Sequence, residues 1–292
     1  MNGTSTSTST GAVCRTECRQ RPRPCWCFRC PYEVVKVVVS FAMTMELKTT
    51  RRESSIASLG CAAVSAAFSI AALASPPLST DDASTLDPGN CQFEIERRRF
   101  NRLTELDIVP ACNLFGDMEL AIGKLRATGD GVPPIDGTFY SIKKVLVAGG
   151  DGEWSVGFNA ATIRAAGKAS GTRQNQVTAV FSHPVEANGE TMLHLNFGWV
   201  GDHEADRDAR RNRFAWAIAM ERDLSVRWTV VAEAFGQQTL PEAAQVGLRW
   251  WAVPAHVQFT TSVGALRGMG RDGRWVSLGV RFETVGAIYP GR

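Results

Sequence analysis

Residues 275–282 read WVSLGVRF, and this short stretch decides the fold. Side chains of an extended strand alternate between its two faces. One face of the stretch is wholly apolar and carries Val276, Leu278, Val280 and Phe282. The opposite face is mixed and carries Trp275, Ser277, Gly279 and Arg281. The alternation therefore predicts a β-strand whose two faces meet different surroundings.

Twelve segments with this alternation are predicted along the chain. They lie at approximately 91–100, 104–115, 118–128, 138–149, 153–166, 175–185, 190–201, 212–222, 226–236, 243–253, 256–267 and 274–282. Such lengths suit a tilted strand that crosses a bilayer (~9–11 residues) and exceed the ~5–6 residues usual in soluble sheets. The face opposite the apolar one mixes small, polar and charged residues, which is typical of a wet interior.

The joints between these segments alternate in length. Joints after even-numbered segments are tight: 116–117, 150–152, 186–189, 223–225 and 253–255. Most joints after odd-numbered segments are longer: 129–137, 167–174, 202–211, 237–242 and 268–273. Short turns on one side and long loops on the other are typical of outer-membrane barrels. We therefore predict an all-β, antiparallel, up-and-down transmembrane β-barrel of about 12 strands, with both termini on the periplasmic side.

Aromatic residues favour this barrel over its main rival, a soluble β-sandwich. Ten of them are assigned to the apolar face, many near segment ends: Trp154, Phe197, Trp199, Phe214, Trp216, Trp228, Phe235, Trp250, Phe259 and Phe282. Membrane barrels carry aromatic girdles at both interfaces with the headgroups. A sandwich would instead need these rings to meet one another in a core.

Composition and charge exclude two other classes of protein, disordered polyelectrolytes and nucleic-acid-binding proteins. The chain is 44% hydrophobic and 21% charged, which excludes a disordered polyelectrolyte. Its net charge of +3 is uneven, because residues 1–74 carry 9 Lys/Arg and 4 Asp/Glu, a balance of +5. Residues 75–292 then balance at −2 (+3 minus +5). The body of the protein has no basic excess, and we expect no nucleic-acid partner.

The N-terminal quarter has the pattern of a targeting segment. Lys48, Arg51 and Arg52 precede an uncharged run, 56–74, that ends in Ala-Leu-Ala. This order predicts a secretory signal peptide over 45–74, and a 19-residue transmembrane anchor is the alternative. Residues 1–44 are an N-terminal extension, for which an over-extended start before Met45 is one explanation.

The remaining chain divides in a simple way. Residues 75–90 are predicted as a periplasmic linker, 91–282 as the barrel and 283–292 as a C-terminal tail. Within the extension, four cysteines have a spacing that also fits a zinc site: Cys14, Cys18, Cys27 and Cys30.

The mixed faces supply candidate functional residues. Seven side chains are predicted to line the lumen: His194, Asn196, Arg227, Glu233, Gln245, Arg249 and Arg281. On the lipid face an arginine would cost about 2–4 kcal/mol at the midplane, so the charged members must face inward. Glu233 and Gln245 should lie opposite each other in one hairpin. Two interpretations stay open, a polar constriction that selects small solutes and a salt-bridge network that fills a narrow bore.

Covalent and catalytic chemistry are limited. Cys91 and Cys112 fall nearly symmetrically about the turn at 101–102, so in-register pairing places them opposite each other on one face. The oxidising periplasm then predicts a disulfide between them, and two free buried thiols are the alternative. No phosphate-binding loop, HExxH or GxSxG motif is present, and the four histidines lack metal-ligand spacing. We expect no catalytic residues, metal or cofactor. A combination of Ser262, His194 and Glu233 would be needed for the alternative of a lipid-hydrolysing barrel.

Several stretches resemble a known family. They are 77–83 with Gly89 and 92–94, and then 193–199, 232–236, 245–249 and 277–282. This series is similar to bacterial outer-membrane barrels related to the phenol-degradation-pathway (MetA-like) family, over about 75–282. The chain departs from that pattern in continuing ten residues past Phe282 and in its 74-residue lead.

The resemblance implies a location in the outer membrane of a Gram-negative bacterium. It also implies a channel or transporter for the passive passage of small molecules, aromatic or hydrophobic ones among them. The expected partners are membrane lipids, the outer-membrane assembly machinery and a small-molecule solute. A barrel enzyme acting on lipid and a structural or interaction barrel with a plugged lumen are the alternatives.

Overall fold

A computed structural model of the chain describes residues 78–150, 152–166, 173–186, 188–202 and 212–284. The predicted signal peptide, the N-terminal cysteines and most of loop 202–211 lie outside these residues. Twelve strands are present: β1 (Cys91–Phe100), β2 (Leu103–Asn113), β3 (Met118–Gly129), β4 (Val132–Val147), β5 (Ser155–Ala166), β6 (Arg173–Pro184), β7 (Thr191–Asp202), β8 (Asn212–Ser225), β9 (Trp228–Gln237), β10 (Ala243–Val253), β11 (Val257–Leu266) and β12 (Arg274–Glu283). The described residues contain no helix long and apolar enough to cross a membrane.

The strands form one closed antiparallel barrel. Each strand pairs with its sequence neighbours, and β1 pairs with β12 to close the ring. In that closing ladder Phe93 lies opposite Phe282 and Phe100 opposite Trp275. Closure pairs every strand edge, which lipid requires because it offers no hydrogen-bond partners. The predicted 12-strand up-and-down barrel is therefore confirmed.

The outer face is the apolar one. Large apolar side chains are exposed all round the barrel, among them Leu278 at 64% and Phe214 at 51%. Near the end of the barrel at which β1 begins and β12 ends, Trp250 stacks between Trp228 and Phe259, with ring centroids 5.8 Å apart on each side. Such exposure is costly in water and favourable in hydrocarbon, so this face is the lipid-facing band.

The inner face is polar and buried. It holds glutamates, glutamines, asparagines, serines and threonines from most strands, for example Glu94, Asn159, Thr178, Gln245 and Ser262. The assignment of Phe235 to the lipid face is wrong, because its side chain is 7% exposed and lies in the lumen. Phe235 comes two residues after the inward-facing Glu233 in β9, so the alternation of this strand places both side chains on the inner face.

Three joints differ clearly from the predicted ones. The tight joint predicted over 150–152 is wrong, because seven residues, 148–154, connect β4 to β5. The loop predicted over 129–137 is wrong, because β3 and β4 are joined by residues 130–131 alone, with Gly131 at φ 73°. Glycines and the pair Pro133-Pro134 favour a loop, yet the strands extend through them. Between β8 and β9 the turn is also two residues, 226–227. Outer hairpins can project beyond lipid, where water replaces the hydrogen bonds that prolines cannot donate.

Candidate functional site

The lumen is occupied by the chain's own N-terminal part. Residues 78–84, here called the lumenal segment, precede β1 and run up inside the barrel. Ser79, Thr80 and Asp81 are only 3%, 2% and 5% exposed. These residues belong to the stretch that we predict as a periplasmic linker, and the structure places them within the ring of strands. The candidate site is therefore this segment together with the wall that holds it.

Glu233 on β9 binds the inner end of the segment. Its carboxylate accepts hydrogen bonds from the backbone N–H of Ser79 at 2.7 Å and of Thr80 at 2.8 Å. The hydroxyl of Thr80 donates a third bond at 2.7 Å. Gln245, which lies opposite Glu233 in the β9–β10 ladder, donates a fourth. One buried carboxylate is thus satisfied by two backbone and two side-chain donors.

Lys143 on β4 binds the middle of the segment. Its Nζ is 2.7 Å from a carboxylate oxygen of Asp81 and 2.7 Å from one of Asp82. The amide of Asn159 on β5 donates to the other oxygen of Asp81 at 2.8 Å. Burial raises the pKa of Asp81 to about 6, against the lowering effect of the Lys143 ammonium. Burial also raises the pKa of Asp82, but there the ammonium prevails and the pKa lies below its usual value.

A third group of contacts comes from β6 and β7. The amide of Asn196 donates to the backbone oxygen of Asp81 at 2.9 Å and accepts from its N–H at 2.6 Å. The Ala83 N–H donates to the Ser182 hydroxyl at 2.8 Å, and this hydroxyl lies 2.8 Å from Nδ1 of His194. These bonds replace water along a backbone that has no strand partner. Leu78 adds an apolar contact, in a cluster with Ala219 and Val231.

The base of the segment is fixed at the end of the barrel where β1 begins. Asn113 on β2 donates its side-chain amide to the carbonyl oxygens of Leu86 and Gly116, both at 2.5 Å. The backbone carbonyl oxygen of Asn113 accepts a hydrogen bond from the N–H of Gly89 at 2.7 Å. In the next register position a disulfide joins Cys91 to Cys112. The chain between the lumenal segment and β1 is therefore held against β2.

An apolar cluster lies toward the opposite end of the lumen. Phe100, Phe235 and Trp275 meet there in an apolar cluster with Leu266 and two alanines. The ring centroids of Phe100 and Trp275 are 5.5 Å apart, and those of Phe235 and Trp275 are 6.5 Å apart. The Trp275 indole donates to Gln245 at 3.2 Å, which links this aromatic cluster to the Glu233 site.

Beside the lumenal segment lies a polar cavity of about 270 Å³, between that segment and β1–β5 and β12. We call it the acidic cavity, because eight carboxyl residues line it against two basic ones. The acidic residues are Asp81, Asp82, Asp87, Glu94, Glu96, Asp107, Glu119 and Glu283, and the basic ones are Lys143 and Arg281.

Six of the seven residues predicted to line the lumen lie inside the barrel. Asn196, Glu233, Gln245 and His194 hold the segment or support its ligands, as described. Arg249 lies in the lumen and bonds Glu221 at 2.6 Å, and Arg281 lines the acidic cavity.

Arg227 does not line the lumen. It lies exposed in turn 226–227, because β9 starts two residues later than we predict.

Sequence reasoning missed the residues that matter most to the segment. On the wall these residues are Lys143, Asn159 and Ser182, which contact the segment. Within the segment they are Asp81 and Asp82, which Lys143 binds. The alternation does place Lys143 on one face and Lys144 on the other. Nothing in it marks Lys143 as the partner of a segment 61 residues upstream.

The structure does not assemble the set considered for hydrolysis. Ser262 bonds Gln245 and Ser277, at 2.9 and 2.7 Å. His194 is engaged by Ser182, and Glu233 by the lumenal segment. In the described part of the chain, no group of three or more His, Cys, Asp or Glu residues is arranged to hold a metal ion.

The closed barrel, its apolar outer band and its polar interior define an outer-membrane β-barrel of a Gram-negative bacterium. Two solved structures share the fold. A structure titled "KdgM porin" aligns at a TM-score of 0.52 and 9% identity, covering 67% of this chain and 99% of that one. A NanC porin structure aligns at a TM-score of 0.52 and 11% identity, covering 66% and 98%.

Outer membrane phospholipase A from Escherichia coli aligns at a TM-score of only 0.41, with 13% identity and coverage of 70% and 93%. That likeness is too weak to bear on activity.

Residues 41–283 match a family model, and the chain belongs to the family described as "Uncharacterised conserved protein UCP029691". No curated protein sequence matches the chain.

Proposed function

We propose that the protein is an outer-membrane channel for the passive passage of small solutes, and that the lumenal segment is its closure. In the arrangement described, residues 78–84 fill the middle of the bore. Passage then requires this segment to leave the wall or move aside. The sequence resemblance to MetA-like barrels supports the same role, with small aromatic or hydrophobic molecules among the solutes.

One observation carries the proposal: the segment is held almost wholly by polar contacts. Hydrogen bonds and ion pairs exchange with water, and a typical intramolecular hydrogen bond contributes only about 0.5–1.5 kcal/mol net. A plug that buried a large apolar surface would be harder to displace. The polar wall exposed after its release would be hydrated at little cost, as in porin interiors.

Conductance in planar bilayers tests this role. We compare the native protein, purified from outer membranes, with a variant that lacks residues 78–84. The native channel should open rarely or with low conductance, and the deletion should give a larger, steady conductance. A second variant with glycine at positions 79–82 keeps the chain length but loses the side-chain contacts, and it should fall between the two.

Heat-modifiable migration in gels checks that each variant is a folded barrel. If folded protein without residues 78–84 conducts no more than the native protein, the proposed channel is refuted.

A structural barrel with a filled lumen is the second candidate, and one observation favours it. The segment is anchored at its base by Asn113 beside the Cys91–Cys112 bridge, while aromatic rings lie toward the opposite end. Such a barrel would stay closed to solutes even without residues 78–84. Liposome swelling with small sugars would then show no uptake for the native protein or the deletion.

A partner in assembly is also proposed. Strand β12 ends next to the aromatic Phe282, the kind of terminal strand that we expect the outer-membrane assembly machinery to read. Exchange of Phe282 for alanine should lower the amount of folded barrel in the outer membrane without changing the conductance of the molecules that do assemble.

A further inference from the structure

We propose that the acidic cavity is a binding site for a small organic cation that carries ammonium or guanidinium groups, and that such cations are among the solutes the channel admits. The second half of this statement rests on the proposed channel function. The first half concerns binding alone and can be tested on the closed protein. Charge, unsatisfied acceptors and cavity size each support it.

The charge balance of the cavity favours a cation. Both basic residues are already engaged, Lys143 by Asp81 and Asp82, and Arg281 by Glu283 at 2.5 Å. Asp107 and Glu96, which lie opposite each other in the β1–β2 ladder, add two further carboxyl groups to the cavity wall. A cleft lined by one sign of charge concentrates ligands of the opposite sign.

Unpartnered buried oxygens provide an independent indication. Glu94 and Asn159 line the cavity at 4% and 2% exposure, and Glu94 Oε1 and Asn159 Oδ1 have no hydrogen-bond partner. Gln92, at 8% exposure, also leaves its Oε1 unpaired. Nε of Arg281 lies 3.6 Å from Glu94 Oε1, too far for a hydrogen bond. Buried polar atoms are normally satisfied, so three such acceptors around one cavity, two on β1 and one on β5, indicate a ligand that donates.

The nature of that ligand follows from what is vacant. Ammonium and guanidinium groups only donate hydrogen bonds and carry positive charge. A bare metal ion fits poorly, since the described residues do not gather three metal-ligating side chains at one point. The acceptors are instead spread along a cavity of about 270 Å³, which can hold a short chain with a cationic group at each end.

Titration calorimetry on the full chain in detergent tests the binding. The probe is 1,4-diaminobutane, and two molecules of similar length serve as controls, uncharged 1,4-butanediol and anionic succinate. We expect saturable binding of the diamine alone. No saturable heat with the diamine up to millimolar concentration, or equal binding of succinate, would overturn the inference.

Variants locate the site. Glu94→Gln should weaken diamine binding at least tenfold, and Asp107→Asn, on the same wall, should weaken it as well. Glu105→Gln is the matched control, because Glu105 is a buried lumenal carboxylate that bonds Arg98 and does not line the cavity. It should bind within twofold of the native protein. An equal loss in Glu105→Gln and Glu94→Gln would show a general effect of lumen charge and reject the site.

The outcomes separate this inference from the proposed function. If the variant lacking residues 78–84 conducts but the full chain binds no diamine, the channel stands and the cation site is rejected. If the diamine binds with the expected losses but no variant conducts, the site stands without the channel, and the statement about admitted solutes is rejected.

Discussion

Exchange of Glu233 for glutamine should release the lumenal segment. The carboxylate accepts three bonds from Ser79 and Thr80, two of them on Oε2. Glutamine keeps one acceptor oxygen, but its amide would turn N–H groups toward donors and the charge would be lost. Hydrogen bonds to charged groups contribute about 1.5–3 kcal/mol each, so losing the equivalent of one such bond weakens docking by about 1.5–3 kcal/mol. At 1.36 kcal/mol per factor of ten, release should become about 13- to 160-fold more frequent.

A cysteine in the segment reports this release. Ala83 is 5% exposed, and Ala83→Cys should react with a bulky maleimide only when the segment leaves the wall. The native cysteines at 91 and 112 are bonded to each other. We expect the labelling rate to rise by the stated factor in Glu233→Gln and to change less than twofold in Glu105→Gln. Equal rates in the parent and Glu233→Gln proteins would refute the idea that this carboxylate holds the segment.

Three further predictions follow from the same structure. Gly264→Ala should destabilise the barrel by about 1–3 kcal/mol, because a Cβ there would lie 2.2 Å from the Trp275 ring, and the temperature of the gel shift should fall. Exchange of both Cys91 and Cys112 for serine should remove about 3 kcal/mol of stability, as expected for a short loop, measured by the same shift. Docking of the segment should strengthen as the pH falls from 7.5 to 5, seen as a lower open probability. Burial in the docked segment raises the pKa of Asp81 to about 6, whereas the pKa of the same carboxyl group in water is near 3.8. Because the docked form binds the proton more tightly, protonation of Asp81 stabilises docking.

Matched variants accompany these measurements. Gly236→Ala is the control for Gly264→Ala, because its added Cβ would meet nothing closer than 3.3 Å. A mass map without reductant that shows cysteines 91 and 112 both alkylated would contradict the disulfide. Asp81→Asn should abolish the pH response between 5 and 7.5, since Asp82, with its lowered pKa, stays ionised over that range. A response that persists in Asp81→Asn would assign it to another group.

The barrel could be read from the sequence because strand alternation is a local property. Segments 91–100 and 243–253 are predicted with the bounds that β1 and β10 have. The facing of Glu233 and Gln245 also follows locally, since a hairpin sets its own register. Where local signals conflict, the prediction fails. Prolines and glycines at 129–137 favour a loop, but pairing with β3 and β5 carries β4 through part of that stretch.

The sequence by itself determined which residues form strands, which of their faces meets lipid and that the sheet closes. Only the tertiary structure decided what fills the lumen. Ser79 meets Glu233 across 154 residues, and Asp82 meets Lys143 across 61. The backbone of the lumenal segment bonds to side chains of the wall rather than to a neighbouring strand. Its sequence therefore lacks the alternation of polar and apolar residues that marks a strand. These contacts form only when the barrel has closed and brings Lys143 on β4 and Glu233 on β9 to face the same lumen. No pattern among neighbouring residues encodes such long-range contacts.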